Sequence, residues 1–234
     1  MCGRFAMEEM LNDMVAEFGL REFPDRELPL DWNIKPTQDV YIIKNDSLEV
    51  ASWGLIAPWS KSNQEASKSQ SIAINARSET VHQKPTFRNA FKKSRCLIPA
   101  SGYFEWATEL GFYKPRQPIY VSREDGKPLA FAGIQDRWVS PEGVIRSSVA
   151  IITRDAVGEL AKVHHRMPMF LPRDRWEAWM DPALQDVNTV RALFDNFQPD
   201  ANLRHWPVSD SVNSIRNSGP DLIEPIEVVP ETLF

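Results

Sequence analysis

The chain is broken into short apolar runs, and this pattern restricts its fold more than any other feature. The runs at 40–43, 50–55, 72–74, 96–98, 103–106, 119–121, 129–134 and 149–152 are rich in β-branched and aromatic residues. Pro, Gly, Ser or Asp bounds them, so each reads as a strand. Helical spacing occurs between them. Met7, Met10, Leu11, Met14, Val15 and Phe18 predict an amphipathic helix over 7–18. Shorter helices are predicted near 86–93, 156–162, 173–180 and 187–195, the third entered through Pro172. Strands and helices do not alternate regularly, which excludes a doubly wound parallel sheet. The expected fold is α+β: a single domain over 1–234 with a barrel-like, mostly antiparallel β core flanked by helices. Residues 60–71, S-K-S-N-Q-E-A-S-K-S-Q-S, are polar and of low complexity, and predict a mobile loop.

Composition narrows the function classes. At 234 residues, 42% apolar and 25% charged, the chain reads as soluble and globular with a sizeable core. No apolar run approaches the ~20 residues of a membrane span, and no basic-then-apolar leader opens the chain. Cys2 and Cys96 are the only cysteines, too few for a disulfide framework and without zinc spacing. A reducing cytoplasm, no metal and no cofactor are therefore expected. A net charge of −5 argues against coating nucleic acid, although a local basic cleft needs only a few cations. Residues 88–95, R-N-A-F-K-K-S-R, hold four cations and no acid, and their ordinary reading is a solvated helix face. There is no Gly-rich phosphate loop, G-x-S-x-G elbow or H-E-x-x-H. The chemistry must rest on individual residues.

Cys2 is the most informative of them. Removal of Met1 would leave an α-amine and a thiol on adjacent carbons. Such a pair condenses with an aldehyde, first to a Schiff base and then to a five-membered thiazolidine, which an internal cysteine cannot form. An α-amine titrates near about 8 and a lysine near about 10.4, so roughly a few hundred times more of the α-amine is free base at neutral pH. An ordinary thiol near about 8.5 keeps an accessible thiolate fraction. The alternative is an accidental residue in a frayed terminus. The next residues weigh against it. Gly3 permits close backbone approach, Arg4 offers a fork for phosphate, and Phe5 can pin the terminus.

Met-Cys-Gly-Arg-Phe is the first of an ordered set of motifs. Trp53-Gly54-Leu55-Ile56, Asn75-Ala76-Arg77-Ser78-Glu79-Thr80, Arg95-Cys96-Leu97-Ile98-Pro99-Ala100 and Gly102-Tyr103-Phe104-Glu105-Trp106 follow. Thr153, His164-His165-Arg166-Met167-Pro168, Pro207-Val208-Ser209 and Val212-Asn213 complete it. In these motifs the chain resembles the SRAP family (SOS-response-associated peptidase domain) from residue 2 to about 226. The resemblance implies a sensor of abasic sites in single-stranded DNA, crosslinked through an N-terminal cysteine as a thiazolidine. It also implies a barrel-like β core with a basic DNA groove, and autoproteolysis has been proposed for the family. Two positions depart from the pattern. Residues 60–71 carry no aromatic, where family members can place a base-stacking side chain. His165 stands where Asp is frequent, and the Arg-Met-Pro register selects His164 for the site.

Roles follow residue by residue. Glu105, in an otherwise apolar strand, is the candidate general acid and base, with a pKa raised by burial. Asn75 is placed to orient the Cys2 amine or the sugar. His164 is a candidate for opening the closed sugar to its aldehyde. Arg4, Arg77 and Arg166 are candidate phosphate clamps, with structural ion pairs as their alternative. Thr153 joins the DNA-binding set, and Trp106 is a candidate stacking surface. The expected partner is single-stranded DNA containing abasic sites, bound by a monomer that associates with the nucleoid through DNA. A possible lyase activity follows from the imine. Two other classes remain open. One is an N-terminal-nucleophile cysteine peptidase or amidohydrolase, with Asn75 as oxyanion donor. The other is a non-catalytic reader of DNA ends or modified bases, which needs no free amine.

Overall fold

A computed structural model describes residues 2–8, 11–108, 113–195, 198 and 202–228. Seven of the eight expected strands are present, and others join them. β1 is Arg4–Met7, β2 Asp31–Ile34, β3 Asp39–Lys44, β4 Ser47–Trp53, β5 Asn75–Arg77 and β6 Arg95–Ala100. β7 is Gly102–Trp106, β8 Pro118–Arg123, β9 Leu129–Val139, β10 Ile145–Asp155, β11 Arg166–Pro168 and β12 Leu203–Pro207. Strands β10, β4, β3, β6 and β9 lie side by side, and β9 pairs again with β10, closing the set into a barrel. Closure removes the sheet edges that would otherwise be left open. All its ladders are antiparallel except β10 with β4, and β5 also joins β10 in parallel. A second sheet, ordered β12-β8-β7-β1-β2, packs its aromatics into the barrel. Phe5 of β1 meets Trp53 at 5.1 Å and Phe131 at 5.8 Å, and Tyr103 of β7 meets Phe131 at 6.1 Å. The fold is thus α+β with a mostly antiparallel barrel core, as expected.

The helices are shorter than their sequence patterns. α1 is Leu11–Phe18, and Met10 lies outside the described residues. Met7 belongs to β1 because Phe5, Ala6 and Met7 are all buried between β2 and β7. α3 (Arg88–Lys93) agrees with its prediction, while 158–162 forms only a 3-10 turn. A 3-10 turn at 173–175 leads into Trp176–Met180, and Val187–Ala192 ends early.

Three expectations are corrected. The supposed loop at 60–71 is mainly a helix, α2, Asn63–Ile72. Ser62 caps it by accepting from the Glu65 N–H, and only Ala66 and Gln70 are buried. Its apolar stripe is too thin to read from sequence. Docking holds it: Ala66 packs with Ile56 and Trp138, and Gly54 admits it closely. Gly54 has φ +115°, and a Cβ there would lie 2.0 Å from the Gln70 carbonyl oxygen. The strand expected at 72–74 is displaced to Asn75–Arg77, because Ile72 ends α2 and is 71% exposed. The basic run 88–95 is no four-cation surface. Arg95 is buried and donates to the carbonyls of Phe91, Lys92, Trp179, Asp181 and Leu184, tying α3 to the Trp176–Met180 helix. Among the described residues, no helix is long and apolar enough to cross a membrane.

Candidate functional site

Four chain segments bring the predicted chemistry together. β1 runs antiparallel to β7, pairing Arg4 with Phe104, which carries Cys2 toward Glu105 and Trp106. β5 runs parallel to β10, pairing Asn75 with Ile151 and Arg77 with Thr153. β11 flanks β10 on its other side, pairing Thr153 with Pro168 and Asp155 with Arg166. His164 precedes β11 directly.

Cys2 is wholly buried. The Asn75 side-chain amide donates to the Cys2 carbonyl at 2.7 Å, fixing the head of the chain across 73 residues. Asn75 Oδ1 is buried and has no hydrogen-bond partner among the described residues. An unmet buried acceptor is costly, which suits a site awaiting a donor. Burial, and next the nearby Glu105 carboxylate, push the Cys2 thiol well above its ordinary range. The accessible thiolate expected from sequence is therefore absent in this state: a thiolate needs solvation, and this pocket supplies none.

Glu105 is 4% exposed, and burial raises its carboxyl above the ordinary range. His164 Nδ1 lies 3.9 Å from Glu105 Oε2, too far for a hydrogen bond. That nitrogen instead lies 3.0 Å from the Arg166 backbone N–H and 3.2 Å from the Arg166 carbonyl oxygen; accepting the shorter bond puts the neutral ring's proton on Nε2. Burial holds His164 down at about 4, and the ring is neutral near pH 7. The His165 ring lies 4.2 Å away and faces solvent.

The cations differ in commitment. Arg77 is exposed, and its guanidinium makes no hydrogen bond or ion pair among the described residues, although its carbonyl accepts from the Thr80 and Val81 N–H groups. Arg4 donates through Nη1 to Asn33 Oδ1 at 2.7 Å and to the Val212 carbonyl at 2.9 Å. Its guanidinium also lies 6.0 Å from the centre of the Trp106 ring. Arg166 is 5% exposed, bonded to Glu79 at 2.8 Å, to Asp155 at 2.5 Å and to the Thr153 carbonyl at 2.8 Å. Burial works to raise the Glu79 carboxyl, but the Arg166 bonds outweigh it and hold it below the ordinary range. Thr153 is fully buried, with Oγ1 3.4 Å from an Arg166 nitrogen. Trp106 is half-buried and donates to Asn213 Oδ1 at 2.7 Å. Sequence reasoning did not single out Asn33, Glu79 or Asp155 by function. Their role is contact with distant residues, and Asn-Ala-Arg-Ser-Glu-Thr was the one motif containing a clue.

The arrangement is that of an α+β barrel protein with a buried cysteine at position 2, a buried carboxylate and a histidine brought near one another. The chain belongs to the SOS response associated peptidase (SRAP) family, whose pattern matches residues 1–215. It is similar to abasic site processing protein YoqW of Bacillus subtilis, 33% identical over 96% of this chain and 99% of YoqW. It is also similar to abasic site processing protein HMCES of Gallus gallus, 34% identical over 75% of this chain and 56% of that protein. A crystal structure of a protein from Bacteroides thetaiotaomicron superposes with a TM-score of 0.85 at 26% identity, covering 97% of this chain and 100% of the other.

Proposed function

We propose that this chain processes abasic sites in single-stranded DNA by capturing them covalently at Cys2 once Met1 is removed, by an aminopeptidase or by autoproteolysis. The observation that carries the reading is the convergence of Cys2, Asn75, Glu105 and His164 from four separate segments. The names of the relatives point to the same target.

The opened sugar is an aldehyde. The Cys2 α-nitrogen adds to its carbon, and the carbinolamine loses water with a proton from Glu105. The imine carbon then accepts Cys2 Sγ. One S–C bond forms and the thiol proton passes, through Glu105, to the nitrogen. Amine, thiol and aldehyde become thiazolidine and one water. The positive imine offsets the burial that keeps the thiol protonated, so sulfur attacks only after the Schiff base exists. His164, neutral at physiological pH, acts by donating a hydrogen bond from Nε2 to the sugar ring oxygen during opening. Asn75 holds the Cys2 backbone in register. Without ring closure the imine is open to β-elimination, a lyase side reaction.

Of the three candidate arginines, Arg77 is the one whose guanidinium is uncommitted among the described residues and open to phosphate. Arg4 and Arg166 add positive potential while bracing Trp106 and Thr153 beneath the strand. A single chain is sufficient for every contact. Peptidase chemistry is less well supported. The Asn75 amide spends one of its two N–H donors on the Cys2 carbonyl, and its buried oxygen is an acceptor that cannot stabilise an oxyanion.

The test is intact mass spectrometry of processed protein with an oligonucleotide carrying one abasic site. A heat-stable 1:1 adduct with loss of one water, mapping to Cys2 and absent in Cys2→Ala as a stable species, is expected. A stable adduct at any other residue would refute the reading.

A further inference from the structure

The segment 209–217 makes no contact that the chemistry above requires, yet it is fastened with unusual density. Asn33, 2% exposed, donates from one amide to the carbonyls of Val212 at 3.3 Å, Ser214 at 3.1 Å and Asn217 at 2.7 Å. Its amide oxygen accepts from Arg4 at 2.7 Å, and Arg4 in turn reaches the Val212 carbonyl at 2.9 Å. One buried side chain thus ties a surface segment to β1. The residue after Val212 is Asn213, whose side-chain oxygen accepts from the Trp106 indole N–H at 2.7 Å. Arg4 lies near the same indole, 6.0 Å from its centre.

We propose that Asn213, on a segment anchored by Asn33, is a positioning residue that fixes the Trp106 ring as the surface on which the base adjoining the abasic sugar stacks. This rests on the reading of the site as one that binds abasic DNA. The indole has one hydrogen-bond donor, and anchoring it fixes the rotation of the ring about its side-chain bonds. With Arg4 close to the ring and the indole N–H held at its edge, the ring keeps one orientation before DNA arrives. Stacking on a pre-set ring does not have to pay for ordering it. The preference created is for a base of any identity next to the lesion, because every base has a π face.

The test uses non-covalent affinity, measured by fluorescence anisotropy in a Cys2→Ala background. One oligonucleotide carries a single abasic site with both neighbouring bases. The other lacks the neighbouring bases as well. Protein with Asn213 intact is expected to bind the first about five- to 150-fold more tightly than the second. Asn213→Ala should shrink that ratio about five-fold or more while leaving affinity for the base-less oligonucleotide unchanged. Asn213→Asp keeps the acceptor and should keep the ratio, even if its charge lowers both affinities. An unchanged ratio in Asn213→Ala, or equal losses on both oligonucleotides, overturns the proposal. Failure of the crosslinking reading looks different: no adduct forms with Cys2 intact, while the affinity ratio and its dependence on Asn213 persist.

Discussion

Replacing Arg166 with Met separates the bracing role of this arginine from any direct grip on DNA. The methionine keeps the apolar length of the side chain and removes the guanidinium. In the folded protein Arg166 is 5% exposed and bonds to Glu79, Asp155 and the Thr153 carbonyl. The Glu79 and Asp155 side chains are 46% and 82% exposed, so both rehydrate when their partner goes. Each ion pair is therefore worth no more than about 1 kcal/mol. The Thr153 carbonyl is buried but keeps a second donor, the Ser78 backbone N–H at 2.8 Å, so losing the Arg166 bond costs about 0.5–1.5 kcal/mol. The expected loss is about 1–3 kcal/mol. Urea unfolding followed by fluorescence should show the midpoint falling by roughly 1 M with the slope unchanged. A loss below about 1 kcal/mol would mean that the bonds to β10 do not anchor β11. The logarithmic salt dependence of DNA affinity supplies the second reading. If Arg166 only braces, that slope stays as in the wild type, whereas Arg77→Ala lowers it by about one unit.

Two further outcomes follow from the geometry. Gly54→Ala should destabilise by about 3 kcal/mol or more and detach α2, seen as a lower melting temperature with new protease cleavage near 60–72, because φ is +115° and the added carbon would meet the Gln70 carbonyl at 2.0 Å. His164 should make folding pH-dependent: its folded value of about 4 lies below the ordinary 6.5, so the unfolded chain binds the proton first. The contribution is whole above about pH 6.5 and disappears as pH falls to 4. His164→Gln should flatten that part of a stability–pH curve, and an identical curve would contradict the assigned burial.

The fold was legible where burial and local propensity agree. β3, β6, β7, β8, β9 and β10 are β-branched or aromatic runs that also line the core. It was illegible where tertiary contact overrides composition. α2 looks like a loop because Ser, Asn and Gln dominate it, yet two buried residues and a close glycine dock it. Met7, the last residue of β1, was read as the start of a helix because it falls in phase with α1, although Phe5 and Ala6 beside it are buried in a sheet. At the site, the candidates Cys2, Asn75, Glu105 and His164 came from chemistry and motif order. What each can do in the folded state depends on surroundings that no local pattern encodes.

Sequence by itself determined the set of reactive groups: a cysteine at position 2, a carboxylate within an apolar strand, and a histidine before Arg-Met-Pro. These are covalent facts, fixed before folding. Only the tertiary structure decided their protonation and commitment. Dehydration keeps the Cys2 thiol protonated, raises the Glu105 carboxyl above its ordinary range and keeps the His164 ring neutral near pH 7. The same packing commits Arg4 and Arg166 to protein partners and leaves Arg77 exposed. The physical reason is that solvation and ion pairing depend on which distant segments converge, and 73 residues separate Cys2 from the amide that holds it.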